Sequence, residues 1–162
     1  MLRKQAARAQ AETHRALNRA LPFGEMVVDR WAKARMLGFD NGASVYDSAI
    51  VIGDVALGKD TWVGPFVLLD GSGRLKIGAN CSNSAGVQIY THDTVAWATT
   101  GGYDEAERAP VVIGDDCYIG PNAVISKGVT IGNRCVIGAN SFVNSDLPDG
   151  SRAWGVPARI QP

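Results

Sequence analysis

The chain of 162 residues carries 16 basic and 16 acidic side chains, so its formal net charge is zero and nothing in this balance indicates a nucleic-acid or polyanion surface. Its length predicts a single domain with a buried core. Three cysteines without a CxxC pair, no secretory signal and no apolar run of about 20 residues predict a cytoplasmic protein without disulfides.

Two helices are predicted in the first forty residues. Residues 2–20, LRKQAARAQAETHRALNRA, are rich in helix formers and place small apolar residues along one narrow seam. We expect this helix to pack on the rest of the chain or on a neighbouring subunit, and the alternative is that its five basic residues contact a membrane or a polyanion. A second helix is expected from Val27 to Leu37, and either helix would cover the open edge of the fold that follows.

A repeat of six residues organises the rest of the chain. From residue 113 the sequence reads IGDDCY, IGPNAV, ISKGVT, IGNRCV, IGANSF and VNSDLP, in which an aliphatic residue opens each block and a mostly small residue stands fifth. The same register runs from Val45 to Ile89, with an eight-residue block at Leu69 that absorbs the turn DGSG and with Asn83 in an aliphatic slot. This period predicts short strands separated by turns, three blocks to a triangular coil.

About fourteen blocks give four to five coils stacked at the spacing of neighbouring β-strands. The predicted organisation is therefore a helical segment at 1–40, an all-β solenoid at 41–150 that an irregular loop at 94–110 interrupts, and a C-terminal tail at 151–162.

These blocks, together with the segments VQIYTHD and WGVPARI, resemble the hexapeptide-repeat acyltransferases, and within them the sugar O-acetyltransferases. The resemblance implies a left-handed parallel β-helix, although general rules for crossover connections favour the right hand. It also implies acetyl-CoA as co-substrate, a homotrimer with active sites in the grooves between subunits, and no metal.

His92 is the predicted catalytic base. Transfer of an acetyl group to a hydroxyl needs a base that works near neutrality, and histidine is the side chain whose unperturbed pKa is nearest. His92 stands where the repeat gives way to the loop, and YTHD matches the catalytic histidine of the family. The local match ERAP points to Glu107 as the acid that orients the ring, with Asp104, Glu105 and a backbone carbonyl as alternatives.

The resemblance also assigns positions along the coenzyme A groove. The match falls on Pro121, Ala139, Asn144 and Arg159, where the Arg159 cation would meet the nucleotide phosphates. Lys127 is a further candidate for a phosphate contact, with a solvated surface as the alternative. Turn geometry alone explains Pro121 and Ala139 equally well.

Three residues are predicted to bind the acceptor. Asp70, in the segment LLD, matches a substrate-binding aspartate of sugar acetyltransferases, and the alternative is a turn residue before Gly71. Trp97 would stack on a sugar ring or anchor the loop, and Asp93 would contact the substrate or cap the loop. Because the chain reads VGPF where maltose- and galactoside-type enzymes carry an Asn-rich segment, we expect a sugar of a surface polysaccharide or lipopolysaccharide, or its nucleotide-linked precursor.

The sequence disfavours two other mechanisms. Cys81, Cys117 and Cys135 occupy the small fifth position of their blocks, so they are expected to point into the coil rather than act as nucleophiles. A zinc enzyme with the fold of γ-type carbonic anhydrases lacks its ligand set here, because His92 is the only histidine in the coils. A nucleotide-sugar N-acetyltransferase and a non-catalytic scaffold subunit remain the alternatives.

Overall fold

The computed structural model describes residues 2–39 and 42–162. Helices α1 (Leu2–Leu17), α2 (Phe23–Val27) and α3 (Arg30–Met36) come first. The predicted boundary between residues 40 and 41 lies outside the described residues. The helix expected from residue 27 to 37 is observed as α3, which begins at Arg30 because the Asp29 carboxylate accepts a hydrogen bond from Ala32 N (2.6 Å) and so caps it. The short helix α2, which precedes it, was not predicted. In the two described ranges, no helix has the length and apolar character needed to cross a membrane.

Helix α3 covers the first coil of the solenoid. Lys33 Nζ donates hydrogen bonds to the carbonyl oxygens of Tyr46, Asp47 and Ala49 at 2.9, 2.8 and 2.9 Å, and Ala34 is buried against the coil. Because these contacts protect the first coil, the prediction that an N-terminal helix covers the open edge is confirmed.

The chain passes in turn along three faces of parallel strands. The first face contains Ser44–Val45, Trp62–Val63, Ser82–Asn83, Tyr118–Ile119, Val136–Ile137 and Arg152–Gly155, and the last of these pairs with an antiparallel strand, Ala158–Ile160. Two long strands, Ile50–Leu57 and Leu68–Ile77, turn the corner between the second and third faces. The second face continues through Gln88–Ile89, Val124–Ile125 and Phe142–Val143, and the third through Val111–Ile113 and Thr130–Ile131.

The predicted left-handed parallel β-helix is confirmed, with about six turns. Four to five turns were expected. The difference arises partly at the C-terminus, where Arg152–Gly155, in the segment predicted as a tail, pairs in parallel with Val136–Ile137 and extends the first face.

The residue that opens each block points into the core, as the period of six predicts. On the second face these residues are at most 1% exposed: Leu69, Ile89, Ile125 and Val143. Their stacking in register removes apolar surface from water along the whole length of the solenoid, which is the main stabilising term of this fold.

Asn83 is the exception in this core. It pairs with Val63 on one side and Ile119 on the other, and it is fully buried. Its amide nitrogen donates to Trp62 O at 3.3 Å, but its Oδ1 has no hydrogen-bond partner among the described residues. The repeat therefore carries an unsatisfied polar atom at this slot, which costs stability.

Candidate active site

His92 lies at the neck of a loop that leaves the solenoid between the second and third faces. It forms a two-residue strand, His92–Asp93, which pairs antiparallel with Glu107–Arg108. The loop between these strands carries helix α4, Val95–Thr99. The His92 side chain is 35% exposed. Its ring is therefore anchored at the neck on one side and accessible from solvent on the other.

The His92 ring is held by Asp70, not by Glu107. His92 Nδ1 lies 2.6 Å from Asp70 Oδ2, and Asp70 is 1% exposed. The same carboxylate accepts hydrogen bonds from the backbone N–H and the hydroxyl of Ser72, at 3.0 and 2.6 Å. It also accepts from the backbone N–H and the hydroxyl of Thr91, at 2.9 and 3.2 Å. Five donors thus converge on one buried carboxylate.

This environment keeps Asp70 ionised. Burial acts to raise the pKa of Asp70, but the hydrogen bonds from Ser72, His92 and Thr91 outweigh it and hold that pKa well below its usual value. An ionised carboxylate only accepts hydrogen bonds, so the proton of a neutral His92 ring resides on Nδ1. The lone pair of Nε2 is then free to take a proton from a substrate.

The polar turn DGSG brings Asp70 to this position. Ser72 N donates to Asp70 Oδ1, which closes an Asx turn at the corner between the second and third faces. Gly73 N donates to Thr91 Oγ1 at 2.7 Å, and a Cβ atom at Gly73 would collide with the Thr91 carbonyl oxygen. Ser72 and Thr91 were missed as site residues, and the Asp-x-Ser pattern is the sequence signal for the first of them.

Glu107 takes part in a different interaction. Lys127 Nζ lies 2.7 Å from Asp93 Oδ2 and 2.7 Å from Glu107 Oε2. Hydrogen bonds to Asp93 and then Glu107 raise the pKa of Lys127, and the bond from Lys127 lowers the pKa of Asp93. Asp93 Oδ1 also accepts from Val95 N at 3.1 Å, so Asp93 closes an Asx turn directly before the loop helix.

A cleft of about 320 Å³ opens beside His92. It is lined by side chains from three successive coils and the loop neck: Tyr90, His92, Asp93, Thr94, Val124, Ser126, Lys127 and Phe142. Because Ser126 N donates to Val143 O, the next coil stacks directly on this corner and brings Asn144 into the position that Ser126 has one coil before. The cleft combines an apolar wall with the one histidine of the coils.

The other predicted coenzyme positions lie at a different corner, between the first and second faces. Pro121 and Ala139 are exposed turn residues of adjacent coils, joined through the bond from Asn140 N to Pro121 O (2.9 Å). Arg159 is exposed on the last strand, opposite Trp154. The structure thus gathers His92, Asp93 and Lys127 at one corner and separates them from these three residues.

Trp97 lies on helix α4 of the inserted loop, and its side chain is 54% exposed. Gly102 N donates to Trp97 O at 2.8 Å, which folds the loop back on itself. The indole ring is therefore presented at the surface of the loop, where an apolar ring face is available for stacking.

The three cysteines point into the core, as predicted. Cys81, Cys117 and Cys135 are at most 2% exposed and stack in successive coils. Burial raises the pKa of the Cys135 thiol. Thiols in this position act as small core residues.

Comparisons with known proteins identify similar chains. Residues 110–145 match the family described as bacterial transferase hexapeptide (six repeats). A hexapeptide-repeat-containing acetyltransferase of Vibrio cholerae O1 biovar eltor, solved with acetyl coenzyme A, is 32% identical over 99% of this chain and 86% of that chain, with a TM-score of 0.66. A maltose O-acetyltransferase of Clostridium difficile 630 is 25% identical over 98% and 84%, with a TM-score of 0.64.

A third structure matches in fold. It is an N-acyltransferase of Bacillus cereus in complex with dTDP and 3-hydroxybutyryl-CoA, which is 22% identical over 76% of this chain and 70% of that chain, with a TM-score of 0.69.

Proposed function

Because this chain belongs to the hexapeptide-repeat acyltransferase family, we propose that it transfers an acetyl group from acetyl-CoA to a sugar hydroxyl. The observation that carries this proposal is the contact of 2.6 Å between His92 and the buried, ionised Asp70, at the edge of a cleft. A histidine whose Nδ1 is fixed in this way is prepared to act as a general base through Nε2.

In the proposed reaction, His92 Nε2 takes the proton of the acceptor hydroxyl while the hydroxyl oxygen attacks the carbonyl carbon of the thioester. A C–O bond forms, and the C–S bond breaks when the tetrahedral intermediate collapses. The imidazolium then gives its proton to the leaving sulfur of CoA, so that an acetyl ester and a free thiol are produced. The Asp70 carboxylate stabilises the imidazolium between these two steps.

We assign the orienting role to Asp70 in place of Glu107. The Glu107 carboxylate is 61% exposed and accepts from Lys127, whereas Asp70 is buried and directly bonded to the ring. Since all five donors around Asp70 come from the protein, this carboxylate is poorly placed to bind sugar hydroxyls as well. Its predicted role as a substrate ligand is replaced by a positioning role.

For the acceptor we propose a sugar of a surface polysaccharide or lipopolysaccharide, or its nucleotide-linked precursor, modified in the cytoplasm. A similar protein is named as a maltose O-acetyltransferase, which supports a sugar hydroxyl. The segment VGPF, in place of an Asn-rich segment, supports an acceptor other than maltose. Trp97 offers a ring face for stacking, and Asp93, at the rim of the cleft, is near enough to contact a bound sugar.

Coenzyme A is proposed to run along the coils, with Arg159 near its phosphates and with Pro121, Ala139 and Asn144 along its path. These positions occupy two corners on either side of the second face. The outer surface of that face is mostly apolar: Ile50 is 55% exposed, and Val124 and Phe142 are half-buried, with Gln88 as the polar member of the same row. An apolar face of this kind supports a homotrimer, in which a neighbouring subunit would cover it and bring the second corner to the site.

A panel of acceptors tests the function. Free sugars, oligosaccharides and nucleotide-linked sugars are incubated with acetyl-CoA and the protein. The release of free thiol is followed with a colorimetric thiol reagent, and the products are identified by NMR. We expect thiol release that depends on one class of sugar and an O-acetyl signal in its product. If thiol release never exceeds the rate of acetyl-CoA hydrolysis with any acceptor, the proposal is wrong.

The N-acyltransferase that matches in fold favours a second candidate, transfer to the amine of a nucleotide-linked sugar. The same NMR spectra separate the two, because an amide and an ester product give different signals. A non-catalytic scaffold predicts no coenzyme binding at all. Calorimetry with CoA tests it, and binding that weakens in Arg159→Ala but not in Arg152→Ala, an exposed arginine on the adjacent strand, supports the transferase.

A further inference from the structure

Lys127 connects the inserted loop to the coils of the β-helix. It follows the second-face strand Val124–Ile125, and its Nζ contacts Asp93 on one strand of the loop neck and Glu107 on the other, both at 2.7 Å. The Lys127 side chain is 19% exposed, against 38% for Asp93 and 61% for Glu107. The cation is thus the most protected member of this group.

The loop neck needs such a cation. Asp93 and Glu107 are directly opposite each other in the antiparallel pair, and like charges in this position destabilise a strand pair. The neck consists of two residue pairs, His92 with Arg108 and Asp93 with Glu107, and one more backbone hydrogen bond at its base, from Ala109 N to Thr91 O at 2.9 Å. So short a two-stranded ribbon is only marginally stable in water. Lys127 replaces a repulsion between two carboxylates by two attractions.

His92 belongs to the same short strand as Asp93. Opening of the neck would release the backbone on the loop side of His92, while the contact of its ring with Asp70 would remain. It would also change the wall of the cleft, because Asp93, Thr94 and Lys127 all line it.

We propose that Lys127 is a positioning residue, which closes the neck of the inserted loop and thereby holds His92 and the rim of the cleft in the arrangement used for catalysis. This assignment differs from a coenzyme phosphate contact, because both contacts of the Lys127 ammonium are to carboxylates of the chain itself. The effect of Lys127 on catalysis rests on the proposed function, whereas its role in closing the loop neck does not.

Lys127→Met keeps the length of the side chain and removes the charge. Hydrogen exchange of residues 94–106, measured by mass spectrometry, is expected to become about five to ten times faster, with residues 111–143 unchanged. The turnover number kcat is expected to fall by a similar factor, about five to tenfold, while the Kd for CoA stays the same. Lys127→Arg should retain both the loop protection and the kcat of the wild type. Lys76→Met, at an exposed lysine of the third face, is the matched control.

A double variant tests the electrostatic reason. In Lys127→Met, the further change Glu107→Gln removes the repulsion with Asp93, so part of the loop protection is expected to return. Unchanged exchange in Lys127→Met, or no recovery in the double variant, would overturn the proposal. So would a CoA Kd weakened about tenfold with the loop still protected, which identifies a phosphate contact. If the wild type transfers no acetyl group, the proposed function fails while the exchange data still decide the role of Lys127.

Discussion

Replacing Asp70 by Asn removes the charge beside His92 and changes very little else in volume. The Asn side chain keeps one acceptor oxygen but puts an NH₂ donor where the second oxygen was. If that donor faces His92, the ring has to accept at Nδ1, and its proton then occupies Nε2. If it faces Ser72 instead, two donors meet each other in a buried site. The first arrangement puts His92 in the wrong tautomer, and the second removes hydrogen bonds that hold the side chain at position 70 in place.

The expected loss in kcat is about 10² to 10⁴-fold, because the wrong tautomer blocks proton transfer and the imidazolium loses its counter-charge. The unsatisfied donors are expected to lower the free energy of unfolding by about 1–3 kcal/mol. Asp70 is buried and accepts from five donors, which is why the effect on activity and the effect on stability should appear together.

The assay is thiol release from acetyl-CoA at saturating acceptor, with thermal unfolding measured on the same samples. Asp54→Asn is the matched control, since this aspartate lies at the same corner but its side chain is 75% exposed. Its contact with Arg74 is long, at 3.9 Å between Oδ2 and Nε. We expect no change in kcat for it. A kcat for Asp70→Asn within about threefold of wild type, or a larger loss in Glu107→Gln than in Asp70→Asn, would refute the assignment of Asp70 as the residue that orients His92.

Two further predictions concern stability. The Oδ1 atom of the buried Asn83 has no partner within residues 2–39 and 42–162, and Asn83→Val puts at this slot the aliphatic residue that the repeat favours. The free energy of unfolding, measured in urea, should therefore rise by about 1 kcal/mol, and a decrease would show that the amide is satisfied. The folded-state pKa of Asp70 lies below the value of about 3.9 for an unfolded chain, so its contribution to stability is complete above that pH and is lost as the pH falls toward the folded value. Acid titrations of unfolding should therefore show a steeper loss below pH of about 4 in the wild type than in Asp70→Asn, and parallel curves would contradict this.

The period of six predicted most of the fold because the aliphatic residue that opens each block is the one whose side chain points into the core. Leu69, Ile89 and Ile125 lie in one buried column, as the register requires. The start of the second predicted helix at Arg30 rather than Val27 was not predicted, because it is set by a local hydrogen bond from Ala32 N to the capping carboxylate of Asp29. Such a bond is not visible in the periodicity.

The hydrogen-bond partner of His92 was harder to predict than the histidine itself. His92 stands out in the sequence because the repeat stops there, but its partner Asp70 is 22 residues away and reaches it only through the stacking of one coil on the next. Glu107 is the nearer match in the loop, and it does lie across the neck from Asp93. Whether it faces the ring or Lys127 depends on side-chain contacts between coils, which the spacing of the repeat does not contain.

The role proposed for His92 is that of the base in an acetyl-CoA-dependent transfer. It is tested most directly by comparing kcat of His92→Ala with that of the wild type, using the best acceptor, and with His14→Ala as the control for the only other histidine of the chain. We expect kcat to fall about 10²-fold or more in His92→Ala and to stay unchanged in His14→Ala. A His92→Ala protein that is folded and retains most of its kcat would contradict it.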